Sequence, residues 1–202
     1  MDLFKIAVKL FVESDVFAPS EFVPVFHHWI QTHALEDHLM VDVADYAHVP
    51  AGPGTVLITS EANIHMDRGE NRLGLLYVRK TPIASLDNGS MFRDRLIGVI
   101  GETLKVAAKL EQEPELAGRL KFRTDEISIR LNDRLLAPNT PGTFAAVKPD
   151  VLAVAHDLYG SAPITIEHYQ PSPLTLLDVR VKAEKSLSVD QMLNHLLSGQ
   201  EA

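Results

Sequence analysis

Between Asp42 and Lys80 the chain gathers Asp42, Asp45, Tyr46, His48, Glu61, Asn63, His65, Asp67, Arg72 and Arg79 around apolar runs with strand character. Strand ends and tight turns hold side chains in fixed positions, so this segment is the first place to look for a site. Three chemistries suit its residue types. His65 and Asp67, two apart on a strand end, point to one side and are weak candidates for an imidazole-and-oxygen metal site. Asp42, Asp45, His48, Glu61 and His65 could supply an acid and a base if a cleft desolvated one of them. Arg72 or Arg79 could take a carboxylate or phosphate through two parallel hydrogen bonds.

Each has a plainer counterpart. No HExxH or H-x-H pair is present, and His27, His28 and His33 lack the i, i+4 spacing that sets two ligands on one helix face, so no metal is predicted. Polar groups at strand ends usually serve local hydrogen bonds. On that view Asp45 caps a turn, Glu61 ends a strand and His48 packs beside Pro50. Arg72 and Arg79 then pair with Asp67, Glu61 or Glu70 as partly exposed ion pairs. The AGPG turn at Ala51 to Gly54 feeds a strand instead of a helix, so it reads as a rigid turn and not a phosphate cradle. No nucleophile elbow, phosphate loop, zinc box or dinucleotide fingerprint occurs. The sequence therefore names no cofactor and leaves open whether the protein is an enzyme.

Alternation supplies a second group of candidates. If the apolar faces of the strands all meet helices, the opposite face collects Lys5, Lys9, Ser128, Arg130, Thr165, Glu167, Tyr169, Asp178, Arg180 and Lys182. Antiparallel sheets often leave such a face wet. The functional alternative is a concave basic patch that attracts a small anion or the acidic face of a partner.

These groups need elements to hold them. Phe4, Ile6, Val8, Leu10 and Val12 alternate with Lys5, Ala7, Lys9 and Phe11, which predicts an opening strand. Ser20 is placed to cap a helix reaching Ala34, with Pro24 tolerated in its first turn. Strands are predicted at Met40 to Ala44, Thr55 to Ala62 and Leu73 to Arg79. A helix follows from Ser90 to Glu111, where Gly98 and Gly101 suggest a close backbone approach. Phe122 to Leu131 alternates as a strand. A turn near Thr143 to Val147 precedes a helix from Pro149 to Tyr159. Two strands, Ile164 to Tyr169 and Thr175 to Ala183, precede a last helix from Ser188 to Leu197.

The expected fold is α+β, a two-layer sandwich with a mostly antiparallel sheet and its helices on one face. Residues 1–202 read as a single domain with two pseudo-repeats, about 1–115 and 116–202. VKLFVESDVFAPS, from Val8 to Ser20, lines up without a gap on ISIRLNDRLLAPN, from Ile127 to Asn139, which raises an internal duplication of strand-helix-strand-strand units.

Composition narrows the classes. Of 202 residues, 46% are hydrophobic and 23% charged, the ordinary mix of a globular domain. A net charge of −8 without a basic tail argues against nucleic acid. There are no cysteines, so disulfides, thiolate ligands and a cysteine nucleophile are excluded. No window approaches the roughly 20 apolar residues of a membrane span, and the opening residues lack a leader pattern. A cytoplasmic location without membrane association is expected.

The stretch DVADYAHVPAGPGTVLITSEA, with NRLGLLYVRK and NDRLLAPNTPGTF further on, resembles a family of bacterial proteins of about this length. That resemblance spans nearly the whole chain and implies no activity. The paired strand-helix-strand-strand layout is similar to multidrug-sensing effector domains and haem-binding SOUL-type proteins, which carry a small-molecule cleft between repeats. It is an analogy of layout alone. The favoured function is thus a binding or sensing module for a small anionic molecule, with Asp45, Tyr46, His48, Glu61, Asn63, His65, Arg72, Arg79, Arg130, Tyr169 and Arg180 as candidate contacts. The alternatives are a metal-dependent or acid-base enzyme using the 42–67 cluster, and a homo-oligomeric interaction protein. A single cleft is expected between the Asp42 to His48 strand end and the Glu61 to Asp67 strand end.

Overall fold

The computed structural model describes residues 3–83, 91–116, 118–172 and 174–198. Among them, eight strands form one open antiparallel sheet: β1 (Ile6–Val12), β2 (Met40–Tyr46), β3 (Gly54–Thr59), β4 (Ala62–Asp67), β5 (Gly74–Arg79), β6 (Phe122–Leu131), β7 (Ile164–Tyr169) and β8 (Leu177–Ala183). Their order across the sheet is β2-β3-β4-β5-β1-β6-β8-β7. Four helices, α1 (Phe22–Thr32), α2 (Phe92–Gln112), α3 (Pro141–Tyr159) and α4 (Val189–Ser198), cover one face. This is the expected two-layer α+β sandwich. No helix among the described residues is long and apolar enough to cross a membrane.

Period two decides which side chains meet the helices. Ile6, Val8, Leu10 and Val12 of β1 enter the core, flanked in register by Tyr77 and Leu75 of β5 and by Ile129 and Ile127 of β6. Phe22, Phe26 and Trp29 of α1 and Leu96, Ile100, Leu104 and Ala107 of α2 cover them. Each fully buried large side chain contributes about 1.5–3 kcal/mol relative to exposure, so this layer dominates the favourable side of folding. The opposite face of β1, with Ala7, Lys9 and Phe11, is buried too, although no α-helix among the described residues lies there. What covers it is the segment between β4 and β5.

Two boundaries differ from the sequence reading by more than two residues. Thr55 to Ala62 is the end of one strand and the start of another, turned at Ser60 and Glu61. The turn has no glycine; the Thr59 hydroxyl accepts from the Ala62 amide and donates to the Ala62 carbonyl, closing it with side-chain bonds. The first half therefore has four strands after α1, not three. Pro149 lies inside α3 instead of opening a helix: α3 starts at Pro141, with the Thr140 hydroxyl accepting from the Thr143 amide at 3.2 Å. The expected start of α2 at Ser90 lies outside the described residues.

Candidate functional site

The register assembles one transverse row on the helix-free face. Leu76 stands opposite Lys9, Lys9 opposite Ser128, Ser128 opposite Arg180 and Arg180 opposite Glu167. Arg130, Asp178 and Tyr169 form the next row, and Glu126 and Lys182 the one before. Alternation alone places these residues on one face.

Lys9 anchors the cover. Its Nζ donates to Asp67 Oδ2 at 2.5 Å, to the Gly69 carbonyl at 3.1 Å and to the Arg72 carbonyl at 2.9 Å, using all three ammonium protons. Burial lowers the Lys9 pKa, and the Asp67 carboxylate opposes that shift. The segment from Asp67 to Arg72 is thereby tied down over the sheet.

Arg72 lays its guanidinium 3.5 Å from the Phe11 ring centroid and grips Glu126 through two bonds of 2.9 and 2.7 Å. The Arg72 hydrogen bond holds the Glu126 carboxyl below its ordinary range. Arg180, almost fully buried, stacks 3.9 Å from the Tyr169 ring centroid. It donates through Nε to Asp178 at 3.0 Å, through Nη1 to Glu126 at 3.3 Å and through Nη2 to Glu70 at 2.7 Å. Burial works against its charge, but the bond to Asp178 and the charges of Asp178 and Glu70 raise its pKa. Arg130 donates to Asp178 at 3.1 Å and to the same Glu70 oxygen at 2.9 Å. Lys9, Arg72, Arg130 and Arg180 are thus matched by Asp67, Glu70, Glu126 and Asp178. The face is a compensated network, not the net basic patch suggested by alternation.

Glu70 is the member held most awkwardly. Its backbone is left-handed (φ 66°, ψ 21°), and Asn71 follows at φ 55°. The left-handed conformation costs a non-glycine residue roughly 1–2 kcal/mol. Strain of this kind persists where surrounding contacts impose it, and it concentrates at ligand and switch regions. On one side of Glu70 and Tyr169 lies a cavity of about 300 Å³ walled by Arg130, Pro171, Thr175, Leu176 and Asp178. On the other side a broader depression of about 510 Å³ is lined by Arg72, Arg123, Glu126, Glu167, Arg180 and Lys182. Leu174, the chain neighbour of Thr175 in the first wall, is 78% exposed, and Arg134 donates to its carbonyl at 2.7 Å.

Of the candidate contacts read from the sequence, Arg72, Arg130, Tyr169 and Arg180 come together here. The others are scattered. Asp45, Tyr46 and His48 sit exposed at the end of β2 and in its turn, where Asp45 accepts from the Ala47 amide at 2.8 Å. Glu61 lies at the opposite end of β4 from Asp67 and accepts from the Leu39 amide at 3.0 Å. Met40 stands opposite Thr59 and Tyr46 opposite Gly54, so the Glu61 end adjoins the start of β2, while the Asp67 end adjoins its finish. A strand of this length separates those ends by about 20 Å, so the expected cleft between them does not form.

Asn63 and His65 occupy the helix-free face of β4, where Asn63 Oδ1 and His65 Nδ1 are buried without a hydrogen-bond partner. Burial lowers the His65 pKa. Asp67 is engaged by Lys9, and among the described residues no group of three His, Asp or Glu could hold a metal ion.

Arg79 meets neither expectation made for it. It points to the helix side with Tyr77, is buried, and donates to the Thr81 carbonyl at 2.7 Å, the Pro82 carbonyl at 3.0 Å and the Tyr77 hydroxyl at 3.3 Å. The same hydroxyl lies 2.8 Å from His38 Nε2, and burial pushes Tyr77 up to about 12 and His38 down. Sequence reasoning did not join Arg79 to Tyr77 and His38, named Glu70 only as an ion-pair partner, and did not single out Glu126. Glu126 had a signal, since it alternates with Ser128 and Arg130. Glu70 sits in a turn, where no periodicity says which way a side chain goes.

No family model, no curated protein and no solved structure matches this chain. The functional reading therefore stands on the geometry.

Proposed function

We propose that the helix-free face around Arg130, Tyr169 and Arg180 binds a small anionic molecule. One observation carries this reading: two guanidinium groups converge on a single carboxylate oxygen at the solvent boundary, beside a cavity of about 300 Å³. That volume lies at the lower end of small-molecule sites. The Tyr169 ring and the Asp178 carboxylate hold the Arg180 guanidinium in place before any ligand arrives, and such preorganisation lowers the cost of binding. The acid-base alternative has less support, because Asp45 and His48 lie at one end of the β2–β4 strands and Glu61 at the other. The oligomer alternative rests only on the exposed edges of β2 and β7.

Replacing Arg130 tests the reading. Arg130 is partly exposed and borders the cavity, whereas Arg180 is too deeply buried to alter without harming the fold. Calorimetric titration with a panel of small carboxylates and phosphates should find at least one that binds. Arg130→Gln should then weaken it by about tenfold or more, the loss expected for a charge-assisted hydrogen bond. Unchanged affinity in Arg130→Gln would remove the site from this face.

A further inference from the structure

We infer that Glu70 is a built-in substitute for the ligand's own carboxylate, and that the site takes a small amphiphilic monocarboxylate which displaces it. Glu70 can play this part only if the face binds anions at all, the reading proposed above.

One oxygen, Oε1, accepts from Arg130 Nη2 at 2.9 Å and from Arg180 Nη2 at 2.7 Å. Two guanidinium donors aimed at a single point are already arranged as a carboxylate seat. Both arginines keep other partners without Glu70: Arg130 holds Asp178, and Arg180 holds Asp178 and Glu126. Removing the Glu70 carboxylate therefore frees one donor from each and leaves the rest of the network standing.

The backbone is suited to release. Lys9 pins the segment at Gly69 and Arg72, on either side of the two left-handed residues Glu70 and Asn71. The Glu70 side chain can therefore swing away without loosening its flanks. Its side chain is about one quarter exposed, so its route outward is open to water.

The walls define the rest of the ligand. Tyr169 and Leu176, with Pro171 beside them, line the cavity next to the seat. A carboxylate head on the arginines would put an aliphatic or aromatic body against these groups. A doubly charged or wholly polar anion would leave them wet.

A ligand that competes with an internal group has its apparent affinity reduced by the fraction of molecules in which that group has left. Octanoate is a suitable probe, with octanol as the uncharged control, titrated into the wild-type protein, Glu70→Gln and Glu70→Gly. The glycine variant suits the left-handed backbone and remains informative if the glutamine variant folds poorly. With Glu70 displaced in under about one tenth of molecules, either variant should bind octanoate about tenfold or more tightly than wild type, while octanol gains nothing. Equal octanoate affinity in wild type and variants would overturn the substitute role and leave anion binding standing. Weaker binding in the variants would make Glu70 part of the seat, which also overturns it. No octanoate binding by any of the three, with another anion binding in an Arg130-dependent way, would overturn the amphiphilic class. No anion binding at all would fail the reading of the face itself.

Discussion

Lys9 shows how much one side chain can organise. It is a fully buried ammonium with three acceptors, and the segment it holds supplies Glu70 and Arg72 to the charged face. Removing one partner of a buried pair leaves the other charge uncompensated and costs about 3–5 kcal/mol. Lys9→Met should therefore destabilise by about that amount in urea unfolding, and adding Asp67→Asn should recover part of the loss. A cost under about 1 kcal/mol would mean that the pair contributes little to holding the segment.

His38, buried, and His65, half-buried, give a pH signature. Burial holds His38 and His65 below the ordinary imidazole value of 6.5. In the unfolded chain both regain that ordinary value, so between the lowered and ordinary values the unfolded state binds more protons. Their contribution to stability is full above about pH 6.5 and is lost as pH falls through the lowered values. The urea midpoint of the wild type should drop between pH 7.5 and 5.5, and that drop should shrink in a His38→Gln, His65→Gln double variant. An identical pH dependence would show that these two imidazoles do not carry it.

At the scale of elements, what the sequence made legible followed from periodicity. β1, β8 and the Ile127 to Leu131 part of β6 alternate, so the parity of Lys9, Arg130 and Arg180 could be read directly, although a register shift ahead of Ile127 breaks the alternation of β6. Parity also holds the answer for Arg79: it shares a face with Tyr77, opposite in sense to Arg180, and only the register of neighbouring strands shows this. The Ser60–Glu61 turn was not legible because its closure depends on the Thr59 side chain and not on a turn residue. Missing it put Glu61 and Asp67 at one strand end, when they are at two. Glu70 was hidden for a related reason, since its direction is set by Lys9 pinning a turn from another strand.

The α2–α4 contact gives an element-scale test. The close backbone approach expected at Gly101 is not found among the described residues: an added Cβ would meet the Leu196 side chain of α4, with Cδ2 at 3.6 Å. That is ordinary contact distance. Alanine fits there without displacement and removes a mid-helix glycine, so Gly101→Ala should stabilise by about 0.5–1 kcal/mol in thermal or urea unfolding. Destabilisation by the same amount would mean that α4 sits closer to α2 than this spacing.

The strands of the described residues form one sheet with β2 and β7 as its edges, and the β1–β6 ladder joins the two halves of the chain. Asp42 and Asp45 place negative charge on the β2 edge, which discourages addition of another strand. Central position and chain order are opposed in β1. It is the first strand in the chain, yet its partners begin only at Gly74 and Phe122. At a synthesis rate of about 5–20 residues per second, it emerges from the ribosome several seconds before either partner exists. Throughout that interval Ile6, Val8, Leu10, Phe11 and Val12 are open to any other unpaired strand nearby. The charge in their midst is Lys9, and a charged interruption in an apolar strand is what keeps such a segment from self-association. The ammonium that later fastens the Asp67 to Arg72 segment thus first protects the nascent strand, so Lys9→Met would lower soluble yield by more than its loss of folded stability accounts for.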